Sequence, residues 1–196
     1  MKTLAMFLLA IGFVGKSFAE ETLILRVDAV RRDQPGYTAG LITGSGWEVW
    51  GICLPDYPDL EVGRLWPVYE KGDELLLVGG YAALWAKECK LFALPWMSYR
   101  NKLFRGKLAA DLAVYAPLNG GPWVVYSNEI SLTWPLRQAL DLGPAVSLWD
   151  PEGTDRVLGI GLTAKVRLSK SSSASLRYLW GIKAQDALWA ELTLSF

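Results

Sequence analysis

The amino-acid sequence predicts an all-β protein, an antiparallel up-and-down transmembrane β-barrel of about 8–12 strands. Three observations lead there. From Arg156 to Phe196 the side chains alternate apolar and polar with a period of two, as strands with one apolar and one polar face do. The strands so outlined are about 10 to 13 residues long, close to the ~9–11 residues a tilted strand needs to cross a bilayer. After the signal-like start no run reaches the ~18 apolar residues of a membrane helix, so a membrane-spanning chain must satisfy its backbone by closing a barrel.

Met1–Ala19 reads as a secretory signal peptide: Lys2, an apolar core from Leu4 to Val14, and a Ser17-Phe18-Ala19 cleavage site. The barrel is expected over 20–196. Thr22–Arg32 forms the first strand and the turn Asp33–Gly36 ends it. Thr38–Thr43 and Trp47–Leu54 are shorter strands around Gly44–Gly46. Pro55–Glu61, rich in Pro and acidic residues, reads as a loop. Arg64–Glu70 and Glu74–Trp85 are again strand-like. Strand spacing and glycines in this first part leave open a small separate β-domain over 20–72, of the five-stranded OB type. From Glu74 onward the count is eight: Glu74–Ala86, Lys90–Tyr99, Phe104–Leu118, Trp123–Leu136, Leu142–Trp149 and three final strands. Twelve strands over the whole mature chain would also close, at about fifteen residues each.

In the final strands Leu158, Ile160, Leu162, Ala164, Val166 and Leu168 oppose Gly159, Gly161, Thr163, Lys165, Arg167 and Ser169. After a Lys170–Ser173 turn, Ala174, Leu176, Tyr178, Trp180 and Ile182 oppose Ser175, Arg177, Gly181 and Lys183. After an Ala184–Asp186 turn, Leu188, Ala190, Leu192, Leu194 and Phe196 oppose Trp189, Glu191, Thr193 and Ser195. This ending, Ala187–Phe196, resembles the C-terminal signature of bacterial outer-membrane β-barrel proteins. The resemblance implies that Leu188, Leu192, Leu194 and Phe196 form a signal for the barrel-assembly machinery. It also implies that outer-membrane lipid surrounds the folded chain.

Composition narrows the function. Twenty basic and twenty acidic residues give no excess charge for nucleic acid. There are no histidines, which removes Ser-His-Asp and Cys-His catalysis and His-ligated zinc. No enzyme, metal or cofactor is expected. Gly159–Ala164 matches a dinucleotide fingerprint on paper, but no helix follows it. The acidic stretches Asp56–Glu61 and Asp150–Asp155 lack calcium-loop spacing and read as solvated loops. Ten Trp residues, mostly near strand ends, fit girdles at the two membrane interfaces.

The polar faces collect Arg26, Asp28, Lys107, Asp111, Glu129, Lys165, Arg167, Arg177, Lys183 and Glu191. In a barrel these point inward, where buried charges must pair. They form either an ionic plug or the wall of a narrow channel. The expected function is therefore a non-enzymatic outer-membrane barrel, structural or passing small solutes. Two alternatives stay open. In a soluble exported barrel the apolar face would turn inward around a hydrophobic ligand. In an envelope enzyme Asp111 and Glu129 would serve as the catalytic carboxylates. Cys53 and Cys89, in an exported chain, form a candidate disulfide.

Overall fold

The computed structural model describes residues 21–30, 36–53, 58–153, 156–182 and 186–196. Most belong to twelve antiparallel strands. They are β1 Thr22–Val30, β2 Gly36–Ile42, β3 Trp47–Cys53, β4 Pro58–Lys71, β5 Glu74–Trp85, β6 Lys90–Leu103, β7 Gly106–Pro117, β8 Val124–Arg137, β9 Leu140–Pro151, β10 Val157–Arg167, β11 Ser172–Ile182 and β12 Ala187–Ser195. Each strand pairs with the next, and β12 pairs back onto β1 to close the barrel. The described residues of 20–72, the span for which a separate β-domain was the alternative, contribute β1–β4 to this same barrel. Strand pairing continues from β12 through β1 to β5, with a single register shift between Pro67 and Tyr69 on β4. The expected signal peptide lies outside the described residues.

Alternation decides where each side chain points. On β10, Ile160 and Leu162 are exposed while Thr163 is fully buried; Leu176 and Trp180 on β11 are likewise exposed while Leu179 is buried. The apolar faces therefore look outward and the polar faces into the lumen. This is the reverse of a soluble barrel closed around a hydrophobic ligand, so that inside-out alternative is corrected. It is the arrangement a barrel adopts in lipid, where the outer band must be apolar.

Tight turns gather at one end of the barrel: 43–46, 72–73, 104–105, 138–139 and 168–171. The chain ends meet there too, Phe196 N–H donating to the Glu21 carbonyl at 2.8 Å. We call this the terminal end. The 104–105 turn is made by Phe104 and Arg105, both at positive φ (49° and 63°). Such two-residue turns favour Asn-Gly, and their absence here explains why the sequence places a strand start at Phe104.

Two sequence expectations change at the β3–β4 connection. Pro58–Lys71 is one long strand, so Asp59 and Glu61 leave the expected loop and enter the barrel wall. Cys53 and Cys89 are both free. Cys53 ends β3, whereas Cys89 lies in the turn after β5, with β4 between. Two strand spacings, about 9–10 Å, exceed the ~7 Å limit for bridging.

Candidate functional site in the lumen

The lumen has two chemically different regions. Toward the end opposite the termini, β5–β9 send in a packed aromatic cluster. Tyr81, Phe92, Leu94, Ala113, Tyr115 and Val124 are buried, with Trp85, Trp96, Tyr126 and Trp149 packed against them. Trp85 stacks on Trp149 at 6.3 Å between centroids, and Phe92 meets Tyr115 edge-on at 5.8 Å. Such offset and edge contacts suit ring quadrupoles. Across the adjoining wall, rings lie over glycines: Trp50 over Gly40 and Tyr81 over Gly63, where any Cβ would collide with the ring.

Three carboxylates serve this aromatic wall. Trp50 Nε1 donates to Glu48 at 2.9 Å. Tyr115 on β7 reaches across to β4 and donates its hydroxyl to Glu61 Oε1 at 2.5 Å. Asp59, two residues from Glu61, faces the same side of β4. Buried carboxylates are costly without donors; Glu48 and Glu61 have them, whereas Asp59 Oδ1 is buried with no hydrogen-bond partner.

The second region is ionic and occupies the barrel's middle and terminal end. A β-bulge between Ser127 and Ile130, where β8 meets β7 and β9, shifts the alternation so that Tyr126 and Glu129, three residues apart, both face the lumen. Glu129 Oε1 then accepts from Lys165 at 2.5 Å and Ser131 at 2.7 Å, with Arg177 at 3.2 Å. Arg100 holds Asp111 through both guanidinium nitrogens, at 2.8 and 3.4 Å. Lys107 pairs with Asp141 at 2.7 Å, and Lys102 with Asp73 at 2.6 Å. Arg26 and Arg177 both lie over the Trp189 ring, 5.2 and 5.1 Å from its centroid. A cavity of about 290 Å³ opens at the terminal end between Arg100, Lys102, Lys107, Thr133 and Lys165.

The structure turns Arg26, Lys107, Asp111, Glu129, Lys165, Arg167, Arg177 and Glu191 to the lumen face. The Asp28 side chain and Lys183 lie outside what is described. Leu188, Leu192, Leu194 and Phe196 stand on the outer face of the last strand. Asp111 and Glu129, the carboxylates weighed for catalysis, are each engaged by a cation rather than poised for proton transfer.

Several lumen residues are missing from the sequence reading: Glu48, Asp59, Glu61, Arg100, Lys102 and Asp141. Arg100 and Lys102 continue the alternation one and three residues past the expected strand end at Tyr99. Asp59 and Glu61 alternate with Leu60 and Val62, a strand signal that Pro55 and Pro58 overrode. The Trp girdle holds for about half of the residues. Trp47, Trp66 and Trp180 face outward and are exposed, but Trp50, Trp85, Trp96, Trp149 and Trp189 point into the lumen.

No protein-family model matches the chain, and a search of curated proteins gives no match. Solved structures do match. A KdgM porin superposes with a TM-score of 0.63 at 11% identity, covering 89% of this chain and 99% of that one. A KdgM porin in complex with disordered oligogalacturonate gives a TM-score of 0.64 at 10% identity, covering 89% and 99%. A NanC porin gives a TM-score of 0.59 at 8% identity, covering 88% and 98%. The chain has the porin-like fold of bacterial outer-membrane β-barrels.

Proposed function

We propose that this chain is a non-enzymatic outer-membrane channel of narrow bore that favours small anionic solutes, acidic oligosaccharides among them. One observation carries the reading. The ionic region holds Arg26, Arg100, Lys102, Lys107, Lys165, Arg167 and Arg177 against Asp111, Glu129, Asp141 and Glu191, with Asp73 in the turn beside Lys102. The positive excess is local to this region, because Glu48, Asp59 and Glu61 stand against the aromatic wall, and a confined space with excess positive charge raises the local concentration of anions. Oligogalacturonate, the ligand of one KdgM complex, belongs to that chemical class. In this reading the tight-turn end faces the periplasm, as short turns do in such barrels. Phe196 then serves the assembly machinery, and its deletion lowers the yield of heat-modifiable barrel.

The test is conductance in planar bilayers under a salt gradient. The expected reversal potential has the sign of anion preference, and it moves toward zero in the Lys107→Glu, Lys165→Glu double variant. Cation preference in the unaltered protein overturns the proposal.

A second reading has its own support. Phe92, Leu94 and Tyr115 fill the opposite half, and the Tyr115–Glu61 bond ties one wall to another. On that reading the barrel is sealed and structural. It predicts no conductance until the cluster is truncated, for example in Tyr115→Ala with Trp149→Ala.

A further inference from the structure

Arg64 departs from the pattern of the outer surface. Among the described residues, the other outward charges on strands sit at strand ends, at Lys71, Glu74, Arg137 and Asp150. Arg64 instead lies inside β4, flanked on its own face by Val62 and Trp66, both exposed. Its cross-strand neighbours are Trp47 on β3 and Gly80 on β5. The guanidinium lies 5.4 Å from the Trp66 ring centroid. Its Nε is shielded from solvent and makes no hydrogen bond. A guanidinium in a lipid-facing band is unfavourable unless it finds an acceptor.

A second feature adjoins it. On the outer face of β5 and β6, the cross-strand pairs Gly80–Pro95 and Ala82–Ala93 carry no side chain larger than proline. A Cβ at Gly80 would meet nothing closer than 3.7 Å. Exposed Leu60 and Val62 on β4 border this strip on one side, and along the strands the exposed pairs Val78–Met97 and Leu84–Leu91 bound its two ends. The result is a shallow apolar furrow, two residue pairs long, that starts beside Arg64 and ends at Leu84 and Leu91 on the side away from the terminal end.

We propose that Arg64 and this furrow hold one glycerophospholipid of the leaflet at the terminal end. The phosphate accepts from the Arg64 guanidinium, Trp47 and Trp66 flank the glycerol region, and one acyl chain lies along Gly80, Ala82 and Pro95. The complementarity selects this occupant. A single cation at the foot of an apolar furrow fits a molecule with one phosphate and long acyl chains. The amphipathic Trp pair marks the level at which headgroups sit.

The experiment is native mass spectrometry of the folded barrel in micelles doped with phosphatidylglycerol. One phospholipid is expected to stay on the unaltered protein. Arg64→Gln, which keeps the fold because it removes a charge from the lipid band, should retain roughly tenfold less. Trp66→Leu should also retain less, and Lys71→Gln, at the rim, as much as before. Diacylglycerol, which lacks the phosphate, should not be retained. Equal retention by Arg64→Gln, equal retention of diacylglycerol, or a lipid-free dimer that Arg64→Gln dissociates would each overturn the proposal. A heat-modifiable band for each variant shows that the barrel itself is folded.

Discussion

The aromatic and ionic regions of the lumen fill the same barrel by different physics. In the aromatic cluster, Phe92 and Leu94 are nearly inaccessible and held by dispersion and burial, which do not depend on salt. In the ionic region, Lys165 and Arg100 keep about a third of their side chains accessible, and their carboxylate partners hold them by charge. Salt screens such accessible charges. One region therefore sets the rigidity of the wall, and the other sets which ions the space admits.

The largest expected effect breaks the first region. Phe92→Ala opens a cavity among Trp85, Tyr115 and Leu94, and should cost about 3–5 kcal/mol. Urea titration of the micelle-folded protein at low and high salt should give the same loss. A strong salt dependence would place electrostatics where packing is assigned.

Next comes the contrast between neighbouring positions on β10. Leu162 faces lipid, and Leu162→Arg should destabilise by about 2–4 kcal/mol near the bilayer midplane. Thr163 is fully buried in the lumen. Thr163→Arg should cost about 1–3 kcal/mol by overpacking. Only the Leu162 effect should weaken when thin, short-chain lipid replaces a thick bilayer. Equal response of the two variants to lipid thickness would undo the inside–outside assignment.

A third effect separates the ionic region from the aromatic one. Glu129→Ala leaves Lys165 and Arg177 without their shared carboxylate and should cost about 2–3 kcal/mol at low salt. The loss should shrink as salt rises, unlike that of Phe92→Ala. The same variant should sharpen anion preference in conductance, which a purely structural ion pair would not do.

The smallest effect lies outside both regions. Arg105→Gly in the 104–105 turn should add about 0.5–1 kcal/mol, because glycine adopts positive φ without strain. A loss of stability instead would mean that the Arg105 side chain contributes a contact of its own.

Much of the barrel was legible in the sequence because side-chain direction on a strand is local. Lys165 and Arg167 inward with Leu162 and Val166 outward follows from alternation alone, and so does the outward row ending at Phe196. The reading stopped where local signals conflict. Pro55 and Pro58 concealed the start of β4, and with it Asp59 and Glu61. The Phe104–Arg105 turn carries no turn residues. Trp85 and Trp149 sit at strand ends as girdle residues do, but their parity sends them inward.

The sequence by itself determined the two faces of the final strands and most of the short turns, since each depends on residues within a few positions of one another, and its composition alone removed histidine chemistry. Only the tertiary structure decided that twelve strands close. It also decided that Tyr115 meets Glu61 and Arg100 meets Asp111, and that the two cysteines stay apart. Those contacts depend on the register summed around the barrel and on the reach of side chains across it, and neither quantity is carried by any single stretch of chain.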